Sequence, residues 1–573
     1  MRVVFTLKHS IIVLCCFDGV IPVMKKIPDG ALLQKSKNNV SYVYFPSYYY
    51  DKNAKTHNKE KQKRLYIGKV VNGEFIPNKK YLANPELSRK DVGSLIAESA
   101  DLSKIRSRSF GATFLLQTLA EKYGLAEDLT SVYGEELANQ LLSLAMFMTL
   151  ESQSALSLYP LWQRRFWVPS DRDMPSQYTS RLLCKLGEDE ASLNEFFRAR
   201  AKHVRASEYL SYDSTKIAST SKNINDVRWA PSKAGNYQQE ISLAVLCGQK
   251  SRIPVMFRVL PGNVPDVRTV HDLLCRWDEI GIVKDATAVL DRGYTSNDNL
   301  VELCDLGVKF VVGQKTSLKL VRDCIEQNMP KFWESKCYIG EFNLYGVSHQ
   351  THVTGSDKKQ HPVWVHVFRS DQNCSVATAT LERKLVEYEQ AWINGTASKS
   401  APIKSLFELT EREPGDGSCL VRNFEMIDRE IRYKGFFAFA SNSISTAREA
   451  LAVYRGRDCV EKTFSNLQTG LDLCSTGVHH DATLRGKLLI CLIALTMLAA
   501  LSYEMENEKT VDDQKLPRLY QHFTVNSLLH EIMNIQMISG PGISPRLTEA
   551  TQKQLVIYDR VGISRPTVFI DTV

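Results

Sequence analysis

The sequence predicts an α/β protein in which a mixed β-sheet covered by helices follows a basic β-hairpin region and a helical domain. Three observations support this class. Short apolar runs separated by turns follow one another after residue 206, two helical stretches alternate with the last of these runs, and residues 95–205 repeat apolar positions at helical spacing. At 573 residues, the chain is long enough for several domains and a large buried core.

The first domain, residues 1–94, is predicted to be a basic β-rich region. Between residues 42 and 82, aromatic and β-prone residues flank a dense basic run, which is typical of a hairpin with a charged tip. Basic side chains interleaved with aromatic rings suit a nucleic-acid backbone, but a solvated loop on a small sheet has the same pattern. The basic residues are Lys52, Lys55, Lys59, Lys61, Lys63 and Arg64.

The N-terminus contains an apolar run, residues 10–17, which has to be considered as part of a signal peptide. No small-residue cleavage site follows it, and Met24 would serve as well as Met1 as the start. Thirteen scattered cysteines without a CxxC pair favour reduced thiols over a disulfide framework or a zinc site. We therefore expect a cytoplasmic protein.

Residues 95–205 are predicted to form the helical domain, with apolar helical spacing clearest in residues 114–119 and 137–147. The formal net charge of +8 permits a polyanionic partner without requiring one. The basic residues in the later part of this domain suit DNA phosphates and solvated helix faces equally well. They are Arg164, Arg165, Arg172, Arg181, Lys185, Arg198, Arg200, Lys202 and Arg205.

Residues 206–315 are predicted to carry the first part of the mixed sheet. The predicted order of elements is that of a ribonuclease-H-like sheet, in which helices cover the faces: three strands, a helix, a strand, a helix and a strand. The predicted strands are residues 208–213, 241–246, 253–259, 286–291 and 308–312, and the predicted helices are residues 267–280 and 296–306.

The rest of the chain is predicted to complete this core after an interruption. Residues 316–440 are β-prone and loop-rich and are interpreted as an insertion, with the clearest strands at 362–368 and 435–440. The core resumes in residues 441–535. Its apolar run at 488–501 is too short for a membrane span and is predicted to be a buried helix. Residues 536–573 form a C-terminal tail.

Acidic residues stand where the predicted elements of this core would meet. Asp213 and Asp291 each end an apolar run, so both are predicted at strand ends, which converge on one sheet edge. Tyr454, Arg457 and Glu461 are spaced i, i+3 and i+7, which places them on one face of a helix. Taken singly, these features are more often turns, caps or solvated faces. Together they predict an oxygen-lined site for two divalent cations, because crowded carboxylates need neutralising.

The same residues resemble a known family, the DDE-type insertion-sequence transposases of bacteria. Tyr454, Arg457 and Glu461 match the signature Tyr-x2-Arg-x3-Glu-x6-Lys of its insertion-sequence-four-like group. Asp213, within Tyr-Asp-Ser-Thr, and Asp291, within Leu-Asp-Arg-Gly-Tyr, match the first and second acidic positions. The resemblance extends from the basic hairpin to about residue 505.

One residue departs from the signature: Gln468 stands where the family usually carries Lys. A phosphate-neutralising charge is therefore missing there, although the amide can still donate hydrogen bonds to phosphate. Lys462 or Lys487 would have to supply the charge. Arg292, beside the second aspartate, either reaches substrate phosphate or offsets the acidic cluster.

The resemblance implies a metal-dependent DNA transposase, a DDE nuclease and strand transferase. It would bind the terminal inverted repeats of an insertion sequence, cleave at the transposon ends and join them to target DNA. Asp213, Asp291 and Glu461 would bind two Mg²⁺ or Mn²⁺ ions, and Tyr454 and Arg457 would hold terminal phosphates. The resemblance further implies double-stranded DNA as partner, a homodimer in the synaptic complex, no membrane, and a cytoplasmic location at the nucleoid when bound to DNA.

The same residues leave two other functions open to comparison with this one. A transposase-derived DNA-binding protein with weakened or lost catalysis is favoured by Gln468 and disfavoured by the intact acidic trio. A phosphatase of the haloacid dehalogenase type needs Asp-x-Asp, whereas this chain has Asp213-Ser-Thr215.

Overall fold

The computed structural model divides the chain into two compact units, which are described separately. One comprises residues 1–107, 538–546 and 569–573, and the other comprises residues 108–537 and 547–568. The residues that the structure describes are 5–7, 10–12, 27–28, 31–36, 40–50, 60–71, 74–79, 81, 106–151, 155–204, 208–231, 236–282, 286–356, 358–398, 402–411, 418–471, 473–507, 509–511, 514–516, 518–540 and 543–567.

The smaller unit is built around a four-stranded antiparallel sheet in the order β3-β4-β5-β6. One face buries Val43, Phe45 and Ile67. Strands β4 and β5 form the predicted hairpin, while its predicted charged tip, residues 51–59, lies outside the described residues. The strands are β1 (Phe5–Leu7), β2 (Ser10–Ile12), β3 (Leu32–Lys35), β4 (Ser41–Tyr50), β5 (Glu60–Val71) and β6 (Glu74–Pro77).

A short strand, β7 (Arg106–Ser109), precedes the predicted helical region, which contains six α-helices within the described residues. Their apolar faces belong to the main core of the larger unit. The helices are α1 (Gly111–Lys122), α2 (Leu125–Tyr133), α3 (Glu135–Leu150), α4 (Tyr159–Gln163), α5 (Ser176–Glu188) and α6 (Glu190–Ala201).

One basic residue of this region differs from both sequence interpretations. Arg200 is fully buried and its Nη1 lies 2.6 Å from Asp128 Oδ2, with His203 Nε2 3.0 Å from the same oxygen. It therefore faces neither DNA nor solvent, because the helix turns this position into the core. Arg205 lies outside the described residues.

The predicted mixed sheet is present, with its first five long strands in the order β11-β10-β8-β12-β13. Strand β10 lies between β8 and β11 and is antiparallel to both, whereas β12 runs parallel to both of its neighbours, β8 and β13. The elements are β8 (Tyr209–Ala218), β9 (Arg228–Pro231), β10 (Tyr237–Gly248), β11 (Pro254–Pro261), α7 (Val270–Glu279), β12 (Thr287–Leu290), α8 (Asn297–Asp305) and β13 (Lys309–Gln314).

The region interpreted as an insertion extends this same sheet. Strand β19 pairs with β13, and β16, β15 and β14 follow outward from it, so that the sheet has ten strands including β9. A long helix, α10, was not anticipated in this β-prone stretch. The elements are α9 (Lys319–Asn328), β14 (Tyr338–Ile339), β15 (Leu344–Thr354), β16 (Gln360–Arg369), α10 (Asp371–Ile393), β17 (Phe407–Glu411), β18 (Ser418–Arg422), α11 (Phe424–Arg432) and β19 (Phe436–Ser441).

The C-terminal part supplies the central helix of the core. Helix α14 has 26 residues, and it is long and apolar enough, by length and composition alone, to cross a membrane. Its apolar window is 83% buried inside the protein, which confirms the predicted buried helix. The elements are α12 (Ala447–Arg455), α13 (Asp458–Ser465), α14 (Asp481–Glu506), β20 (Lys509–Val511), β21 (Gln514–Leu516), α15 (Val525–Ile532), β22 (Gln536–Gly540), β23 (Ile543–Leu547) and α16 (Gln552–Val561).

Candidate active site

The first two acidic residues lie side by side at one edge of the sheet. Strands β8 and β12 are parallel, and their last pair is Tyr212 with Leu290. Asp213 and Asp291 are the next residues on each strand. Only Asp291 follows a strand end as predicted. Asp213 lies within β8, because β8 continues to Ala218 as the antiparallel partner of β10.

The predicted helix carrying Tyr454, Arg457 and Glu461 is two helices, α12 and α13, joined by a tight turn. Gln249 causes this break, because its Nε2 donates to the carbonyl of Val453 at 3.0 Å. The amide of Arg457 would use that carbonyl in a continuous α-helix, and it donates instead to Tyr454 O at 3.1 Å.

Arg457 connects all three acidic residues. Its Nη1 donates to Asp213 Oδ2 at 2.8 Å, and its Nη2 donates to Glu461 Oε1 at 2.7 Å. Asp291 Oδ1 lies 3.9 Å from the same Nη2. Residues far apart in the chain therefore present carboxylate oxygens to a single, partly buried cation.

Tyr454 is fixed between the sheet and the second aspartate. Its hydroxyl donates to Asp291 Oδ1 at 2.6 Å, and its ring stacks on Phe439 with centroids 4.0 Å apart. Gly313 permits this approach, because a methyl group there would lie 2.8 Å from the Tyr454 hydroxyl. Burial, followed by the hydrogen bond to Asp291, raises the pKa of Tyr454.

The electrostatics of Asp213 reflect burial among other charges. Burial raises the pKa of Asp213 to about 6, even though Arg457 and the backbone N–H of Ser214 act to lower it. Burial alone would lower the pKa of Arg457, but Asp291, Tyr454, Asp213 and Glu461 together raise it. The guanidinium is thus firmly charged, and it offsets only part of the negative charge around it.

Gln468 lies next to the site, whereas the two lysines considered as substitutes for it do not contact the acidic trio. Gln468 belongs to a single π-helical turn, Asn466–Gly470, and its Nε2 donates to Thr215 Oγ1 at 2.9 Å. Lys462 lies 2.8 Å from Asp458, on the α13 surface that lines a separate cavity. Lys487 donates to the carbonyl of Thr476 at 2.9 Å.

A cavity of ≈ 800 Å³ opens beside Asp291. Arg292 is exposed on its wall, directly after Asp291. Sequence reasoning missed Lys315, which follows β13 and is exposed on the same cavity. Arg455 and Arg457 complete the basic part of the lining, and Phe437 contributes an aromatic part. The cavity wall is therefore suited to an anionic, partly aromatic ligand.

Asp266, which was not among the predicted site residues, lies beside Asp213. The Ser214 hydroxyl donates to Asp266 Oδ1 at 2.7 Å, and the charge of Asp266 contributes to the raised pKa of Asp213. Strand β11 runs parallel to β8, since both are antiparallel to β10, so Asp266 follows a strand that ends at the same edge. The sequence signal that could have identified Asp266 is that it is an acidic residue shortly after an apolar run, as Asp213 and Asp291 are.

The donor chemistry of the acidic trio fits a hard divalent cation. The three carboxylates supply only oxygen ligands, which Mg²⁺ and Mn²⁺ prefer, and they already surround one cationic group. Among the described residues, no three His, Cys, Asp or Glu side chains are close enough together to form a metal site. At the acidic trio, the Arg457 guanidinium lies between the three predicted ligands and contacts each of them.

Comparison with known proteins gives one family match. The family model described as a transposase DDE domain matches residues 206–497, a range that includes Asp213, Asp291 and Glu461. Among curated proteins, none matches the chain. The fold is similar to a piggyBac transposase synaptic complex with hairpin DNA, solved by cryo-EM, with 9% identity and a TM-score of 0.32 over 73% of this chain and 70% of that chain.

Proposed function

This chain belongs to the transposase DDE domain family, and we propose that it binds the terminal inverted repeats of an insertion sequence, cleaves at the transposon ends and transfers the strands into target DNA. We assign it to the insertion-sequence-four-like group, on the match of Tyr454, Arg457 and Glu461 to that group's signature. We also propose that its core is ribonuclease-H-like, which is supported by the strand order third, second, first, fourth and fifth in the sheet.

The observation that carries this proposal is the convergence of Asp213, Asp291 and Glu461 on one guanidinium. Folding brings these residues together from three separate parts of the sequence. A purely structural role would need only one carboxylate to neutralise Arg457. Three carboxylates leave an excess of negative charge, which a site for cations requires.

We propose that Asp213, Asp291 and Glu461 hold two Mg²⁺ or Mn²⁺ ions. When bound, such ions lower the pKa of an attacking oxygen and stabilise the leaving oxygen of an in-line displacement at phosphorus. The protein provides the oxygen ligands on a rigid sheet edge and one short helix. Asp266 adds negative charge beside Asp213 and, through Ser214, helps to fix the strand that carries it.

The remaining side chains would bind and orient DNA. Arg457, whose guanidinium lies among the three carboxylates, is proposed to hold a terminal phosphate. Tyr454 is the other group proposed to hold a terminal phosphate. Arg292 and Lys315 would contact the backbone from the cavity wall, and the amide of Gln468 would contribute hydrogen bonds without charge. Lys462, which faces a separate cavity, would contact DNA beyond the acidic trio.

We further propose that the chain acts as a homodimer in a synaptic complex, with double-stranded DNA of transposon ends and target as its partners. Its working location would be the bacterial cytoplasm, at the nucleoid. These assignments follow from the family resemblance.

The test is cleavage of a duplex that carries the terminal inverted repeats of the element. Asp213→Asn and Asp291→Asn are expected to lose Mg²⁺-dependent cleavage and strand transfer while still binding the duplex, because each change removes a charged ligand and keeps the shape of the side chain. The matched control is Asp305→Asn, since Asp305 is a surface carboxylate paired with Lys359 at 2.7 Å. Full cleavage by either site variant would refute the assignment.

A transposase-derived DNA-binding protein with weakened or lost catalysis is the second candidate. It is supported by the uncharged Gln468, whose amide is hydrogen bonded to Thr215. The same assay separates the two, because this candidate predicts that the wild-type chain binds the terminal repeats and does not nick them when Mg²⁺ or Mn²⁺ is added.

A further inference from the structure

One glutamine connects strand β8 to helix α12. Gln249 lies directly after β10, in the turn that leads to β11. Its backbone N–H donates to the carbonyl of Tyr209 at 2.8 Å, and its Nε2 donates to Ser211 Oγ at 2.9 Å, so both acceptors belong to β8. The same Nε2 donates to the carbonyl of Val453, on α12, at 3.0 Å. Gln249 therefore fixes α12 relative to β8.

These hydrogen bonds lie next to the residues of the acidic trio. Ser211 and Asp213 are two residues apart on β8, so their side chains share a face. On the helix side, Gln249 occupies the carbonyl that a continuous helix would offer to the amide of Arg457. Helix α13 begins after this break and carries Glu461 in its first turn. The position of Glu461 relative to Asp213 therefore depends on one amide.

The glycine at the break supplies independent evidence for this role. Gly456 has φ −58° and ψ −15°, a helical conformation that any residue can adopt, so the backbone does not require glycine there. A methyl group on Gly456 would overlap Gln249 Oε1 and would lie 2.8 Å from Gln249 Cδ. The space that a side chain would fill is occupied by the amide of Gln249. The turn is therefore shaped to admit this amide.

Apolar packing alone would not set this geometry. Helix α13 contacts β8 and β10, and it buries Val460 completely and Phe464 almost completely. Such packing is non-directional, so it holds the helix against the sheet without fixing where a neighbouring polar side chain points. Hydrogen bonds depend on distance and angle, and Gln249 provides them at the start of this helix. Loss of its amide should leave α13 docked on the sheet and displace Glu461.

We propose that Gln249 is a positioning residue of the acidic site, and that Gly456 is glycine in order to admit its amide. Gln249 sets where Glu461 lies relative to Asp213, and a functional site needs its groups held within about 0.5 Å of their working positions. This inference rests on the proposed function, because it concerns two of the carboxylates assigned there to the ions.

The experiment measures Mn²⁺ binding to the full chain by titration calorimetry. Gln249→Met keeps the size of the side chain and removes its donor, so the dissociation constant for Mn²⁺ should rise about 10- to 100-fold, the range for residues that orient metal ligands. Gly456→Ala should have a similar effect, because the added methyl displaces the flexible end of Gln249. Gln249→Ala combined with Gly456→Ala should bind no more weakly than Gln249→Ala alone, since the methyl then has nothing to displace.

Gln163→Met is the matched control. The Nε2 of Gln163 also donates to two acceptors, the carbonyls of Ser170 and Arg172, and this partly buried glutamine belongs to the helical region. Its variant should bind Mn²⁺ as the wild type does. Unchanged or tighter Mn²⁺ binding in Gln249→Met and Gly456→Ala would overturn the proposal. An equal loss in Gln163→Met would also overturn it, because the effect would then follow from general destabilisation.

Failure of the proposed function looks different, because the wild type itself would then bind no Mn²⁺. Amide hydrogen exchange in EDTA tests the positioning role in that case as well. Faster exchange in α12 and α13 of Gln249→Met, with exchange in β12 and β13 unchanged, would support it. Exchange in α12 and α13 at the wild-type rate would overturn it.

Discussion

Among single residues, Arg457 determines the charge balance of the candidate site. The spacing predicted one helix face for Tyr454, Arg457 and Glu461, whereas two helices and the turn between them carry these residues, although Arg457 still contacts Glu461. It could not predict the carboxylate contacts that Arg457 and Tyr454 make, since these depend on how strands distant in sequence pack. Asp266 was missed for the same reason.

The raised pKa of Asp213 gives a prediction for the metal-free protein. Its pKa is about 6 in the folded chain against an ordinary value of 3.8, so between these values the folded state keeps a proton that the unfolded chain has released. Stability contributed by this group is therefore complete below about pH 4 and is lost as the pH rises through 6. The loss is roughly 3 kcal/mol, at ~1.4 kcal/mol per pKa unit.

The measurement is chemical unfolding in EDTA from pH 4 to pH 7, for the wild type and for Asp213→Asn. The free energy of unfolding of the wild type should fall relative to that of the variant over this range, because the asparagine does not titrate. Parallel pH profiles for the two proteins would contradict the assigned pKa.

Whole helices and strands were predicted best where apolar periodicity is strong. The five core strands, α7, α8 and the buried α14 have such patterns, and all are present. The end of β8 was missed because the three residues after Asp213 are polar and are held in the strand by pairing with β10. The break between α12 and α13 was missed because it depends on Gln249, a residue distant in sequence. Local propensity carries no information about such tertiary hydrogen bonds.

The contact between α5 and α14 gives a prediction about these elements. Gly187 and Gly486 let the two helix backbones approach closely, and a methyl group on Gly486 would lie 2.0 Å from the carbonyl oxygen of Leu183. Gly486→Ala should therefore lower the free energy of unfolding by about 1–3 kcal/mol through overpacking, although alanine favours helix. The measurement is thermal or denaturant unfolding.

Gly340→Ala is the control for that substitution, because its added methyl would meet only the Tyr338 ring, at an ordinary 3.7 Å. An unchanged or raised stability of Gly486→Ala would show that the helices can separate without cost.

For the whole molecule, the main feature absent from the sequence patterns is the continuity of the sheet. Residues 316–440 were interpreted as an insertion, and the domain boundaries proposed for the chain remain a prediction. Its strands β15, β16 and β19 nevertheless continue the central sheet. Strand pairing across such distances is not encoded in local periodicity. The acidic trio depends on the same long-range order, since its residues lie on β8, after β12 and on α13.

Binding of Mg²⁺ should therefore stabilise the whole fold, because it ties these distant elements together. Ligand at about 100 times its dissociation constant adds about 2.7 kcal/mol to the stability of a folded state. Thermal unfolding should shift upward with Mg²⁺ in the wild type and in Asp305→Asn, and should not shift in a double Asp213→Asn, Asp291→Asn variant.

Arg457→Ala separates the two roles that this residue could have. Its guanidinium contacts the same carboxylate oxygens that are proposed to bind the ions, so arginine and metal compete for them. The variant should be less stable than the wild type in EDTA, since three carboxylates then repel one another, and it should gain more stability from Mg²⁺ than the wild type gains. A smaller Mg²⁺ effect in Arg457→Ala would mean that the guanidinium organises the ion site, and the competition inferred from its contacts would be wrong.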